Sequence, residues 1–196
     1  MTAIQASIAP SAKPAAMLAA AKQPPWNEAL RNGSRVSIRP IHALDAELER
    51  RFIEGLSPQS QRFRFLESMK SPSDALLKQS MAIDPATDAA YVALAGTGAE
   101  EREIGVARFN AAPGGNDCEF AVVVGDEWQH TEFGSALMKR LIETAGARGI
   151  ESMHSNDAAE NEAMRKFAAR LNYHHKRDPD DAKLVRYSVD LKTATG

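Results

Sequence analysis

Glu119 is the residue whose type and neighbours best suit it to move a proton. It lies in CEFAVVV, an otherwise apolar run, and at strand spacing it shares a face with Ala121 and Val123. A carboxylate in such company is expected to be partly desolvated, the condition that fits it for general-base work. A solvent-facing strand carboxylate is the plainer account of the same residue. A second kind of chemistry is written just downstream, where EFAVVVGDEWQHTEFGSALMKRLIE runs from an apolar strand through an acidic turn into an amphipathic helix. The first amides of a helix lack helical partners and the helix dipole stands behind them, so this junction suits an anion such as a pyrophosphate. Strands enter such turns in many mixed α/β domains, so the junction alone does not decide for phosphate.

Other reactive residue types point to less. Cys118, the single cysteine, excludes an internal disulfide. It neighbours Glu119, which opposes thiolate formation, so a small buried thiol is expected rather than an acyl relay. His174 and His175 are adjacent and would point to opposite faces of a strand, and no His/Glu pair at helical spacing accompanies them, so no metal is expected. Arg62 and Arg64 interleave with Phe63 and Phe65, a stretch too short for a nucleic-acid patch. A net charge of -2 gives no basic field for wrapping nucleic acid, which removes that class of partner from expectation.

These residues need elements to hold them. Val36 and Ile38 alternate with polar neighbours up to Pro40, the pattern of a first strand. Leu44, Leu48 and Phe52 recur at helical spacing, with Ile53 and Leu56 widening the stripe and Gly55 ending it. Ser57-Pro58 starts another segment. Ser71-Pro72, with Asp74 three residues beyond the serine, predicts a capped helix that buries Leu76, Leu77 and Met81. Strands are predicted over Tyr91 to Ala95, Ile104 to Phe109 and Glu119 to Val124. A helix over about Glu132 to Ala147, a strand near Ile150 to His154, a helix carrying Met164, Phe167, Ala168 and Leu171, and a strand over Leu184 to Leu191 complete the chain. The order β-α-α-β-β-β-α-β-α-β describes a mixed, mostly antiparallel sheet flanked by helices, an α/β (α+β) domain.

Residues 1 to 30 are rich in Ala, Pro and Ser and poor in bulky groups, so they are expected to form a disordered tail whose deletion leaves folding intact, with residues 31 to 196 as the domain. No apolar run approaches the roughly 18 residues of a membrane span. With one cysteine and no secretory pattern, a cytoplasmic location is expected.

The junction around residue 129 resembles motif A of the GNAT superfamily of N-acetyltransferases, with Gln129, Phe133, Gly134, Ser135, Ala136 and Leu137 falling into its pattern. That resemblance implies a loop of backbone amides, including His130, Thr131 and Gly134, around the pyrophosphate of acetyl-CoA. It also implies that Val122, Val123 and Val124 hydrogen-bond the pantetheine arm, and that Asn161 stands near the cofactor, capping being the alternative for that residue. GSRVSIRPIHALDAELERRFIEGLSPQSQRFRF is similar to the opening of bacterial protein lysine acetyltransferase domains, through Arg39-Pro40-Ile41, Asp45 and Leu56-Ser57-Pro58 with Ser60, Arg64 and Phe65. The resemblance extends over about residues 32 to 191. It implies transfer of an acetyl group to a primary amine, such as a protein lysine, with Glu119 as the general base and no metal. Acetylation of a small amine, or a degenerate acyl-CoA-binding or protein-interaction module without turnover, are the alternatives. Two departures bear on them: Ala168 stands where many relatives carry a tyrosine acid, and Glu132 where motif A has its first glycine.

Overall fold

The computed structural model describes residues 25–30, 33–65, 71–129 and 131–192. Of the tail expected over residues 1–30, residues 1–24 lie outside the described residues, as does the loop contact expected of His130. Eight strands form one sheet: β1 Trp26–Ala29, β2 Arg35–Pro40, β3 Asp88–Ala95, β4 Arg102–Ala111, β5 Asp117–Val124, β6 Ser152–Ala158, β7 His174–Arg177 and β8 Leu184–Asp190. Their order across the sheet is β1-β2-β3-β4-β5-β6-β8-β7. Only β5 and β6 pair in parallel among the described strands, joined by a helical crossover. The helices are α1 Ala46–Gly55, α2 Pro58–Phe65, α3 Asp74–Met81, α4 Phe133–Ala147 and α5 Glu162–Arg170.

Alternation along the strands sends two sets of side chains to two layers. On one face Ala107, Phe109 and Phe120 meet Phe133, Leu137 and Leu141 of α4. On the other, Val92, Leu94 and Val106 meet Phe52 of α1 and Leu77 and Met81 of α3. Helices α4 and α5 each end on a left-handed residue, Gly149 at φ 80° and Asn172 at φ 54°.

Four expectations are corrected. Residues 26–29 belong to the sheet, not to a tail: β1 pairs antiparallel with β2, Trp26 stacks edge-on against Tyr91, and Glu28 binds Arg140 at 2.6 Å. One large apolar residue in WNEA was too little for the pattern to register. Leu44 is 91% exposed, because a 3-10 turn over Ala43–Asp45 precedes α1 and rotates it off the apolar stripe. The cap of α3 is Ser73, whose hydroxyl accepts from the Leu76 amide at 3.2 Å, while Ser71 donates to Glu54. Finally, the predicted order has no strand between the last helix and Leu184 to Leu191, whereas HHKR, with the two histidines, forms the edge strand β7 there, all four residues exposed.

Candidate active site

The site is set by where two strands stop pairing. The β5–β6 ladder holds Asp117 against Ser152, Cys118 against Met153 and Glu119 against His154, and there it ends. Beyond that point β5 stays bound to β4 as far as Val124 and β6 to β8 as far as Ala158, so the two halves of the sheet are held apart and a wedge opens. The β6-facing edge of Phe120 to Val124 therefore offers backbone groups with no strand to satisfy them. Val122, Val123 and Val124 are half-buried along this edge.

Helix α4 starts at the wide end of the wedge. Thr131 donates to the Trp128 carbonyl at 2.6 Å and accepts from the Phe133 amide at 3.3 Å, which fixes the turn. The Ser135 amide bonds back to the Glu132 carbonyl at 3.1 Å. Gly134 is a packing requirement: a Cβ there would stand 3.0 Å from the Phe167 ring and 3.3 Å from Val124. Gln129 lies with its amide nitrogen 3.3 Å from Ser60 Oγ, 3.3 Å from Asp126 and 3.4 Å from the Val124 carbonyl.

Asp126 is the hub of that turn, and sequence reasoning missed it. Its carboxylate accepts from the Ser57 amide at 2.8 Å, the Ser57 hydroxyl at 2.9 Å and the Ser60 hydroxyl at 2.7 Å. Burial raises its pKa, but these bonds outweigh burial and hold it below the ordinary carboxylate range. The Ser-Pro-x-Ser segment thus ties the start of α2 to the turn after β5. Further along α2, Arg62 reaches Glu160, just past β6, at 2.8 Å. Helix α2 therefore bridges the two arms of the wedge.

Glu119 stands at the narrow end, exposed, on the face away from α4 and α5. The expected desolvation is not there: Ala121 and Val123 share its face, but so does Asp117 on the same strand, and Asn110 and His154 are its partners in register. Asn161 caps α5, accepting from the Met164 amide at 3.1 Å and donating to Asp157 at 2.9 Å. Burial raises the Asp157 pKa, and the bonds from Asn161 and the Ala158 amide offset this only in part. Ala168 is buried, so α5 brings no hydroxyl at that position. Burial, then Asp117, pushes the Cys118 thiol up to about 12, which fits an inert core cysteine.

A second charged group lies under α1 and α2. Glu49 and Glu103 are buried beside Arg108, whose guanidinium is 3.9 Å from Glu49. Burial and the neighbouring Glu49 push the Glu103 carboxyl well above the usual carboxylate range, so it holds a proton at neutral pH beside Glu49. Burial, then Arg108, pushes Arg64 down to about 10, so it stays charged at neutral pH. Arg39 and Asp45, two of the residues that carry the resemblance, form a bidentate pair at 2.7 and 2.8 Å that fixes the start of α1.

Residues 55–173 match the model of the Acetyltransferase (GNAT) family, which is more than half of the chain. This chain belongs to the GNAT acetyltransferase family. It is 41% identical over 166 residues to Acetyltransferase PA5475 of Pseudomonas aeruginosa, covering 85% of this chain and 89% of that protein. It is 30% identical to Acetyltransferase Pat of Mycolicibacterium smegmatis, covering 83% of this chain but 47% of that relative, so it spans about half the mycobacterial protein. Among solved structures it is similar to the GNAT domain of S. lividans PAT, with a TM-score of 0.77, 25% identity, and coverage of 85% of this chain and 96% of that one. RimL, a ribosomal L7/L12 α-N-protein acetyltransferase solved with coenzyme A, shares the fold at a TM-score of 0.64 and 12% identity, covering 79% of this chain and 93% of that one. A GNAT acetyltransferase uses acetyl-CoA to acylate an amine. The free edge of β5, beside the first turn of α4, has the donors and acceptors that an extended amide-bearing arm and its phosphates require. Among the described residues there is no group of three or more metal-binding side chains, and no helix is long and apolar enough to cross a membrane.

Proposed function

We propose that this GNAT enzyme transfers the acetyl group of acetyl-CoA to the ε-amine of a protein lysine, and that Glu119 removes the proton from the attacking ammonium. The observation that carries the reading is the position of Glu119, on the last residue pair before β5 and β6 part. From there it looks out on the sheet face where Ser152, His154, Arg186 and Ser188 are not buried, a broad surface suited to a polypeptide. The Leu-Ser-Pro-x-Ser segment on α2, similar to that of protein lysine acetyltransferases, supports the same acceptor.

Acetyl-CoA supplies the activated acyl group as a thioester. The β5 edge from Val122 to Val124 orients its arm, and Gln129, Thr131, Phe133, Gly134 and Ser135 shape the loop for its phosphates, with His130 in the same loop. Asn161 acts by fixing the start of α5 beside them. An amine attacks only as the free base, so Glu119 must accept one proton before the new C–N bond forms. Ala168 provides no acid, so the sulfur leaves as the thiolate, and the second proton that the nitrogen loses as the amide forms balances its charge.

Thiol release with a panel of lysine-bearing proteins, lysine peptides and small amines tests the acceptor. Turnover confined to small amines would overturn the protein reading, and thermal stabilisation by acetyl-CoA without turnover on any acceptor would mark a binding module. For the base, Glu119→Gln is expected to lower turnover by about 10²–10⁴ while acetyl-CoA affinity stays within about twofold. Turnover within a factor of about two at saturating amine would remove Glu119 from that role.

A further inference from the structure

The same residue pair that closes the ladder carries a histidine. His154 is the register partner of Glu119 on β6, and neighbouring strands lie about 4.8 Å apart. Cys118, Phe120, Met153 and Tyr187 turn into the helix-covered core, so Asp117, Glu119, Ser152, His154 and Ser188 share the opposite face. His154 is held there: its Nδ1 lies 3.2 and 3.1 Å from the two carboxylate oxygens of Asp117, which also accepts from Ser152 Oγ at 2.7 Å. An ionised carboxylate takes only donors, so the pairing puts the neutral imidazole's proton on Nδ1 and leaves Nε2 as a bare acceptor. The side chain is 17% exposed, reached by solvent but not loose.

We propose that His154, oriented by Asp117, is a positioning residue that discharges Glu119, taking through Nε2 the proton that Glu119 removes from the acceptor ammonium and passing it to water. The inference rests on the assignment of Glu119 as base. Its balance is simple. An ammonium N–H bond breaks and its electron pair stays on nitrogen; the proton moves to the Glu119 carboxylate, then to His154 Nε2, then to solvent, and both side chains return to their starting state. The charged and titratable groups around the imidazole are Asp117 and Glu119 on β5, Arg186 and Asp190 on β8, and His174 and Lys176 on β7. Among the described residues, Asp117 is the one that holds the imidazole by a hydrogen bond and ion pair.

The test compares the full chain with His154→Gln, Asp117→Asn, Glu119→Gln and the His154→Gln/Glu119→Gln double variant, using a lysine peptide between pH 6 and 9.5. Both single changes at 154 and 117 are expected to lower kcat/KM for the amine by about tenfold, with acetyl-CoA affinity within about twofold. A relay needs the neutral imidazole, so the acid limb of the wild-type profile should move to lower pH in His154→Gln. Because the two groups act in series, the double variant should be no more than about twofold slower than Glu119→Gln alone. An unchanged plateau and acid limb in His154→Gln, or losses that multiply in the double variant, would overturn the relay. Glu119→Gln at the wild-type rate would overturn the base assignment instead, while a damaged Glu119→Gln beside an intact His154→Gln overturns only the relay. Should His154→Gln not fold, imidazole ¹⁵N resonances of the wild type and Glu119→Gln decide. An Nδ1–H tautomer whose Nε2 signal responds to residue 119 supports the relay, and an Nε2–H tautomer or an indifferent signal overturns it.

Discussion

At position 132, where the resembled loop carries glycine, Glu132 has φ -75° and ψ -10°, a conformation open to any residue. Glycine is therefore not demanded by the backbone, and the difference lies in bulk and charge. Two cations of α4 bind other carboxylates: Arg140 binds Glu28 at 2.6 Å and Glu143 at 3.0 Å, and Lys139 lies 4.0 Å from Glu143. A carboxylate about 7 Å from one phosphate charge, at an effective dielectric near 20, costs about 2 kcal/mol before screening, somewhat over tenfold in affinity. Against this, an acidic group at the start of α4 favours the helix dipole by about 0.3–1 kcal/mol. Glu132→Gly is thus expected to bind acetyl-CoA more tightly, most visibly at low salt, and to be slightly less stable unliganded. Calorimetric titration at two ionic strengths checks it. Equal or weaker binding would mean that the carboxylate points away from the phosphates.

At the scale of elements, the start of α4 depends on a glycine in a different strand. Gly105 lies on β4 opposite Val124, and a Cβ there would come within 2.8 Å of both the Phe133 ring and the Val123 carbonyl. The carbonyl is backbone and Phe133 is fully buried, so neither can yield without moving β5 or α4. Gly105→Ala is expected to lower stability by about 1–3 kcal/mol and to weaken acetyl-CoA binding with it. Denaturant unfolding with and without ligand measures both; an unshifted midpoint would show that the junction tolerates displacement. This dependence also marks where the sequence was readable. The strand Glu119–Val124, the helix beginning near residue 133 and the glutamate on that strand declare themselves through local periodicity. Apolar alternation does not report β7, whose residues HHKR are all polar, or the cap of α3, where two serines compete two residues apart. Still less does it report contacts between distant segments. Ser57 and Ser60 meet Asp126 across 69 and 66 residues, and Asp117 meets His154 across 37. Those pairings exist only once the strands are ordered β4-β5-β6, and the wedge itself is a property of the sheet rather than of any segment.

The whole molecule is held at its edges and by its buried charges, and each gives a measurable consequence. Truncation through residue 30 removes Leu30 from the core, the Trp26–Tyr91 contact and the cover over the edge of β2. Burying one such apolar side chain contributes about 1.5–3 kcal/mol, so this truncation should melt roughly 3–12 °C below one that stops at residue 24. Equal melting temperatures would mean that β1 adds nothing. The buried charges act through pH, with opposite signs. Asp45 is raised by burial but lowered further by Arg39 and the His42 amide, so its net folded pKa is depressed. Its stabilisation is present above the ordinary carboxylate range and is lost as pH falls through the folded value. Glu103 is the reverse case, its folded pKa raised by burial and by Glu49. The unfolded chain gives up that proton near pH 4–5 while the folded chain keeps it, so the stabilisation is complete below that range and drains away as pH rises through neutrality. Glu103→Gln keeps a donor toward Glu49 without a proton to lose. Urea unfolding at pH 5, 7 and 9 should therefore give the variant a flatter pH dependence than the wild type, with its relative stability rising from pH 5 to pH 9. Parallel curves would show that the wild-type Glu103 does not hold that proton.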